Sequence, residues 1–151
     1  MARLLVDGML GRLARYLRFC GHDAAYAPDR GVEDDGAIAA LARREGRTVV
    51  TRDRSICGDG LDVWHLEATD IDGQLREVAA AGLDLTPTER PRRCGRCNGR
   101  LRPGATAEDL PEYVPEGATA LSRCRRCGRY FWRGSHWTRV SGRLERARSD
   151  D

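Results

Sequence analysis

Four of the six cysteines in this 151-residue chain form two Cys-x-x-Cys pairs. A two-residue gap lets both thiolates of a pair point at one tetrahedral ion. An iron site would use the same ligands, whereas disulfides do not suit the cytoplasmic location expected below. The spacing therefore predicts one structural zinc ion, with a closed shell that leaves no position for hydrolysis. Its predicted ligands are Cys94, Cys97, Cys124 and Cys127.

A second group of residues capable of chemistry is acidic. Asp7 directly follows one short apolar run, Asp53 follows another by two residues, and Asp34 and Asp35 open a predicted helix. Parallel sheets place ligand sites at the carboxyl ends of their strands, so we expect these side chains to lie at one edge. Carboxylates are ligands for Mg²⁺ or Mn²⁺, and a metal bound there can activate water for phosphodiester hydrolysis.

Each acid also has a purely structural interpretation. Asp34 or Asp35 can act as a helix cap, and Asp53 can begin a turn. Asp7 is harder to explain in this way, because a carboxylate directly after a buried strand is costly unless it is paired or bound to metal.

The charged residues exclude several classes of function. All 26 basic residues other than histidine are arginine, so the sequence contains no lysine. This excludes phosphate-binding P-loops, Schiff-base enzymes and kinases, because each of them needs a lysine. Residues 1–87 carry 11 Arg against 15 acids, and residues 88–151 carry 15 Arg against 8 acids. A basic appendage on an acidic body indicates an anionic partner.

Alternating strands and helices are predicted to position these residues. Apolar periodicity predicts strands at 3–6, 23–27, 48–51 and 61–66, and helices from 9 to a stop at 21, at 35–45 and at 71–81. This order is typical of a parallel sheet with helices on both faces. We expect an α/β domain over 1–87, a zinc ribbon over 88–140 with a loop at 108–117, and a polar tail or frayed helix over 141–151.

Several separated segments resemble the PIN-like ribonuclease family, and most closely the subgroup known as the Mut-seven C-terminal ribonuclease domain. The segments are 6–18, Asp34-Asp35, 50–53 and 130–137. The resemblance implies a PIN-like three-layer α/β/α parallel sheet followed by a small C-terminal zinc ribbon. It also implies a Mg²⁺- or Mn²⁺-dependent endoribonuclease that hydrolyses RNA phosphodiester bonds.

The resemblance assigns roles to individual residues and leaves one doubt. The family's acids map onto Asp7, onto Asp35 or its neighbour Asp34, and onto Asp53, with Thr51 orienting the site by a hydrogen bond. Related proteins often carry a further acid where this chain has Ser55. Asp70 or Asp72 are candidates to replace it.

RNA is the expected partner. Arginine holds phosphate while an aromatic ring stacks on an unpaired base, and the ribbon offers both. Tyr130, Phe131 and Trp132 can instead pack the ribbon core. An inactive RNA-binding module and a toxin-type ribonuclease with an antitoxin partner stay open as alternatives, as does a homo-oligomer. No membrane partner is expected, and a cytoplasmic location is the default. The predicted nucleic-acid contacts are Arg12, Arg15, Arg52, His136 and Trp137.

Overall fold

The computed structural model describes residues 1–104 and 110–149. Its first sheet has four parallel strands, β1 (Arg3–Val6), β2 (Asp23–Tyr26), β3 (Thr48–Thr51) and β4 (Val63–His65). They lie in the order β2-β1-β3-β4. Val6 at the end of β1 lies opposite Tyr26 of β2 on one side and Val50 of β3 on the other, so the carboxyl ends of these three strands are level.

Helices cover both faces of this sheet, as predicted. The helices are α1 (Gly11–Phe19), α2 (Asp35–Glu45) and α3 (Ile71–Ala80), and a short 3-10 helix, Gly8–Leu10, precedes α1. Successive strand residues point to opposite faces, so Leu4 packs with α1 and α3 while its neighbour Leu5 packs with α2. The three-layer α/β/α architecture is therefore confirmed.

Of the two expectations for the C-terminal segment, a polar tail or a frayed helix, the structure has a helix over its described residues. Ser135–Ser149 forms a single helix, α4, that packs on α3. Val140, Leu144 and Ala147 are buried in the same core as α1 and α3. These three residues recur at spacings of four and three, which places them on one helical face among exposed arginines. The low mean hydropathy of this segment therefore gave no indication of its buried face, which completes the core on one side of the first sheet.

A second, smaller sheet follows the first. Its three antiparallel strands are β5 (Leu101–Pro103), β6 (Ser122–Cys124) and β7 (Tyr130–Phe131), in the order β5-β6-β7. We call residues 94–131 the ribbon, and β1–β4 with α1–α3 the body. Of the loop predicted at 108–117, residues 108 and 109 lie outside the described part of the chain, and 110–117 form turns. No described helix is both long and apolar enough to span a membrane.

Polar side chains fasten the ribbon to the outer edge of β2. The Oδ1 atom of Asn98 accepts the N–H of Ala24 at 3.0 Å, and its Nδ2 atom donates to Asp23 at 2.7 Å. Arg18, which is buried on α1, donates to the carbonyl of Ala24 and to that of Gly95, both at 2.9 Å. The edge of the sheet and the first Cys-x-x-Cys turn therefore share one buried network.

Candidate active site and metal centre

The edge formed by the carboxyl ends of β1 and β3 holds the first predicted acid. The hydroxyl of Thr51, which is fully buried, donates to Asp7 Oδ2 at 2.7 Å and accepts the N–H of Asp53 at 2.9 Å. Asp7 Oδ1 accepts the N–H of Gly8 at 2.7 Å. Thr51 therefore joins the ends of two neighbouring strands and fixes the Asp7 carboxylate at this edge.

The other two acids meet at one hydroxyl group. Ser55 Oγ lies 2.6 Å from Asp53 Oδ1 and 2.6 Å from Asp35 Oδ2. A hydroxyl has a single proton to donate, so it can satisfy only one of these carboxylates at a time. The Ser55 side chain and backbone N–H both donate to Asp53 and hold the pKa of its carboxyl below the usual value. Two negatively charged oxygens are thus kept close together, which is the donor chemistry that a hard divalent cation prefers.

The remaining acids considered above have structural partners. Asp34 caps α2, its Oδ1 accepting the N–H of Ala37 at 2.7 Å. Asp70 caps α3 in the same way, and Asp72 lies 3.6 Å from Arg143. Asp35 is therefore the acid of the adjacent pair that lies beside Asp53.

The three acids are connected through hydroxyl groups and do not form one tight cluster. Among the described residues, only the four cysteines bring three or more metal-binding atoms within 4.8 Å of one another. Asp7 is linked to Asp53 through Thr51, and Asp53 to Asp35 through Ser55. The sheet edge therefore brings together the predicted acids in the order Asp7, Asp53, Asp35.

The two Cys-x-x-Cys pairs come together in the ribbon. The Sγ atoms of Cys94 and Cys127 are 3.7 Å apart, and those of Cys97 and Cys124 are 3.5 Å apart. Four thiolates around one tetrahedral zinc ion, with Zn–S near 2.3 Å, would lie about 3.8 Å from one another. The four sulfur atoms can therefore hold one ion of this kind.

The backbone favours a negative charge on the Cys124 sulfur, whereas burial raises the pKa of Cys94 to about 12 and also raises the pKa of Cys97. Burial acts to raise the pKa of Cys124, but the backbone N–H groups of Cys127 and Arg126 donate to its sulfur and, with the neighbouring thiols, lower the pKa to about 7. A Cβ atom on Gly99 would lie 2.8 Å from the Cys124 sulfur, so this position excludes any side chain.

The predicted nucleic-acid contacts fall into two groups. Arg12, Arg15 and Arg52 are exposed and have no hydrogen bond or ion pair within the described residues. His136 and Trp137 lie at the start of α4, where the guanidinium of Arg133 sits 3.9 Å from the Trp137 ring centre.

The aromatic residues after the last cysteine mostly serve packing. Tyr130 is buried and Phe131 packs on the small ribbon core. Trp132 stacks on Tyr113, with ring centres 6.0 Å apart and an angle of 28°. The packing interpretation therefore accounts for these three aromatic residues in the structure.

Two residues with clear roles in this geometry were not identified from the sequence. Ser55 was considered only as a missing acid, yet it bridges Asp35 and Asp53. No role was predicted for Asn98, which lies in the tight turn directly after the first Cys-x-x-Cys pair. Its positive φ of 67° is a signal of such a turn, but its partners on β2 lie more than 70 residues away and leave no local trace.

Comparison with known proteins gives one result. Neither the curated proteins nor the solved structures contain a match to this chain. A family model described as the Mut7-C RNAse domain matches residues 2–144, nearly the whole chain. The match covers both the acidic sheet edge and the four-cysteine ribbon. The chain therefore belongs to the Mut7-C RNAse domain family.

Proposed function

We propose that this protein is a Mg²⁺- or Mn²⁺-dependent endoribonuclease whose catalytic residues are Asp7, Asp35 and Asp53. The observation that carries the proposal is the single Ser55 hydroxyl shared by two carboxylates. Holding two anionic oxygens beside one donor costs free energy unless a cation also binds them. A divalent metal held there would lower the pKa of a bound water and stabilise negative charge on the leaving oxygen.

The chain's own residues divide the remaining work. Asp35 and Asp53 would hold the metal, Asp7 would complete the acidic edge, and Thr51 would keep the Asp7 carboxylate in place. Arg12, Arg15 and Arg52 are exposed cations that we propose to contact RNA phosphates. His136 and Trp137, at the start of α4, are proposed as further RNA contacts.

The four cysteines are proposed to bind a structural zinc ion. A shell of four thiolates has no open position, so this ion would stabilise the ribbon and leave hydrolysis to the acids. The ribbon would then contribute to RNA binding through its arginines.

Cleavage of labelled RNA in the presence of Mg²⁺ or Mn²⁺ tests the proposal. We expect Asp53→Asn and Asp7→Asn to reduce the rate by about 100-fold or more, since a bound metal contributes several kcal/mol to the barrier. Asp34→Asn is the matched control, because asparagine caps a helix as well as aspartate does and Asp34 has that role alone. Cleavage that survives both Asp7→Asn and Asp53→Asn would refute the proposed site.

The second candidate function is an RNA-binding module without activity. It is favoured by the serine at position 55, where related proteins often carry a further acid. Restoring an acid there separates the two candidates. If the site lacks an acid, Ser55→Asp should create or increase metal-dependent cleavage, whereas Ser55→Ala should not. RNA binding with no cleavage by either the unchanged protein or Ser55→Asp would favour the module.

A further inference from the structure

A cleft lined largely by arginine lies between the body and the ribbon. Its volume is about 620 Å³, and five of its six lining residues are arginine. The lining residues come from the start of β1, the segment after β2, the end of α2 and the second Cys-x-x-Cys turn. They are Arg3, Arg30, Arg44, Glu45, Arg47 and Arg126.

The single carboxylate in the lining is already fully engaged. Glu45 binds Arg30 through both of its oxygens, at 2.5 and 3.0 Å, and also accepts from Arg47 at 2.8 Å. Arg47 additionally pairs with Asp23 at 2.8 Å, behind the cleft. Glu45 therefore neutralises no more than this inner pair of arginines.

The other three arginines keep donors for a ligand. Arg44 is exposed and has no hydrogen bond or ion pair within residues 1–104 and 110–149. Arg3 is half-exposed, and the one carboxylate that it reaches among the described residues is that of Asp23, at 3.9 Å. Arg126 gives one Nη atom to the carbonyl of Cys97, at 3.1 Å, and is otherwise exposed. Three guanidinium groups from separate segments thus face one cleft with little compensating charge.

The cleft is separated from the acidic edge by the length of the sheet. Arg3 begins β1 and Asp7 follows its last residue, whereas Arg44 lies at the end of α2 and Asp35 at its start. A strand of four residues spans about 13 Å. The cleft is therefore a separate site from the acidic edge.

We propose that this cleft binds phosphate groups of the RNA backbone, at the end of the sheet opposite the acids. This proposal rests on the proposed function, because the RNA that binds in the cleft is also the RNA that would reach the acidic edge. Guanidinium groups bind phosphate in bidentate fashion, and an uncompensated cluster of them attracts polyanions at long range. A cleft shared by the body and the ribbon also gives the ribbon a direct part in substrate binding.

Binding of a fluorescent single-stranded 12-nucleotide RNA, measured by anisotropy over a range of salt concentrations, tests this proposal. The full-length zinc-loaded protein would carry Asp53→Asn and be kept free of Mg²⁺ to prevent cleavage. We expect the added pair Arg3→Gln and Arg44→Gln to weaken binding roughly tenfold at 0.15 M salt. The slope of log K against log salt should become shallower by about 1.4, because each lost phosphate contact with a single strand removes about 0.7.

Three single variants separate the loss of an RNA contact from damage to the fold. Arg146→Gln removes an exposed arginine on α4, which packs on the opposite face of the sheet, and should leave both the affinity and the slope unchanged. Arg126→Gln tests the ribbon side of the cleft, and its zinc content must equal that of the unchanged protein. Arg44→Gln alone touches no described partner and keeps the test valid if another variant fails to fold.

A second arm identifies the source of the phosphate. Adenosine monophosphate and inorganic phosphate are titrated as competitors of the RNA. Binding of either compound that depends on Arg44, together with an RNA affinity that does not depend on Arg44, would assign the cleft to a single phosphate group and overturn the backbone proposal. Equal RNA affinity and equal slopes for the double variant and for Arg146→Gln would overturn it as well.

Failure of this proposal and failure of the proposed function are distinguishable. The binding experiment contains no cleavage step, so an inactive protein whose RNA affinity depends on Arg3 and Arg44 would support the cleft alone. Cleavage that depends on Asp53, with RNA affinity independent of these arginines, would support the nuclease alone.

Discussion

The body and the ribbon are held together by different kinds of interaction. The body buries one apolar cluster on each face of its sheet, and these include Leu4, Leu5, Leu13 and Leu75, all with no exposed surface. Among the described residues of the ribbon, the buried cluster contains two cysteines and Leu101, and the other buried apolar residues are Val114 and Tyr130. So small a core cannot offset the loss of chain entropy on folding, and such modules usually depend on a metal. We therefore expect the ribbon to depend both on the proposed zinc ion and on the body it contacts.

The largest effect is expected from removing one thiolate, as in Cys124→Ser. Metal binding by four-ligand zinc peptides contributes about 10–16 kcal/mol, comparable to the total stability of a domain. We expect loss of zinc and a lower melting temperature of the whole chain, because Asn98 and Gly95 would release their partners on β2 and α1. Circular dichroism on heating, together with zinc content, measures this.

The control for that experiment is Cys57→Ser, which changes an exposed cysteine outside the cluster. It should alter the free energy of unfolding by less than about 0.5 kcal/mol. If the body of Cys124→Ser melts at the temperature of the unchanged protein, the boundary near residue 88 separates two units that fold independently. The ribbon would then add nothing to the stability of the body.

A smaller effect is expected from Leu144→Ala in α4. Leu144 is fully buried in the core of the body, and truncating a buried leucine costs about 2–5 kcal/mol. Denaturant unfolding measures the loss, with Arg146→Ala as an exposed control on the same helix. A cost below 1 kcal/mol would mean that α4 is the polar appendage suggested by its composition.

Asn98 tests the junction between the two regions. Asn98→Ala leaves the Ala24 N–H and the Asp23 carboxylate without this partner, and we expect a loss of about 2–3 kcal/mol. Asn98→Gly loses the same hydrogen bonds but tolerates the positive φ, so it should be about 1 kcal/mol more stable than the alanine variant. Equal stability of Asn98→Gly and the unchanged protein would show that the hydrogen bonds of the Asn98 side chain make no net contribution to stability.

The smallest effect concerns the pH dependence of stability. Hydrogen bonds from Arg30 and then Arg47 lower the pKa of Glu45 from 4.5 to about 2. A depressed pKa in the folded state stabilises the protein above pH 4.5, and this contribution is lost as the pH falls toward 2. Glu45→Gln should therefore flatten the stability curve between these values. Glu33→Gln, at an exposed site without an ion pair in the described chain, should not flatten it.

Much of the body could be predicted from its local patterns. The bounds of β1, β3 and α2 agree residue for residue with the prediction, because each is a continuous apolar or amphipathic segment ended by Asp7, Arg52 or Gly46. Long-range partners could not be predicted in this way. The apolar face of α4 is explained only by its packing on α3, and the arginines of the cleft come from segments far apart in the chain.

The candidate site divides along the same line. Asp7, Asp53 and the pair Asp34-Asp35 were expected near a common edge because parallel strands end there, and the structure places Asp7, Asp53 and Asp35 at that edge. The choice between Asp34 and Asp35 required coordinates, because both open the same helix and only the cap hydrogen bond to Ala37 separates their roles.

The contact between Asn98 and β2 has a consequence for behaviour in concentrated solution. β2 is an outer strand, and an outer strand with unpaired N–H and carbonyl groups is a template for joining another chain. Asn98 and Arg18 occupy the N–H and the carbonyl of Ala24, as a neighbouring strand would. Loss of the metal would release Asn98 and expose this edge of β2. We therefore expect the metal-free protein to self-associate through β2. The ion would then prevent aggregation in addition to stabilising the ribbon.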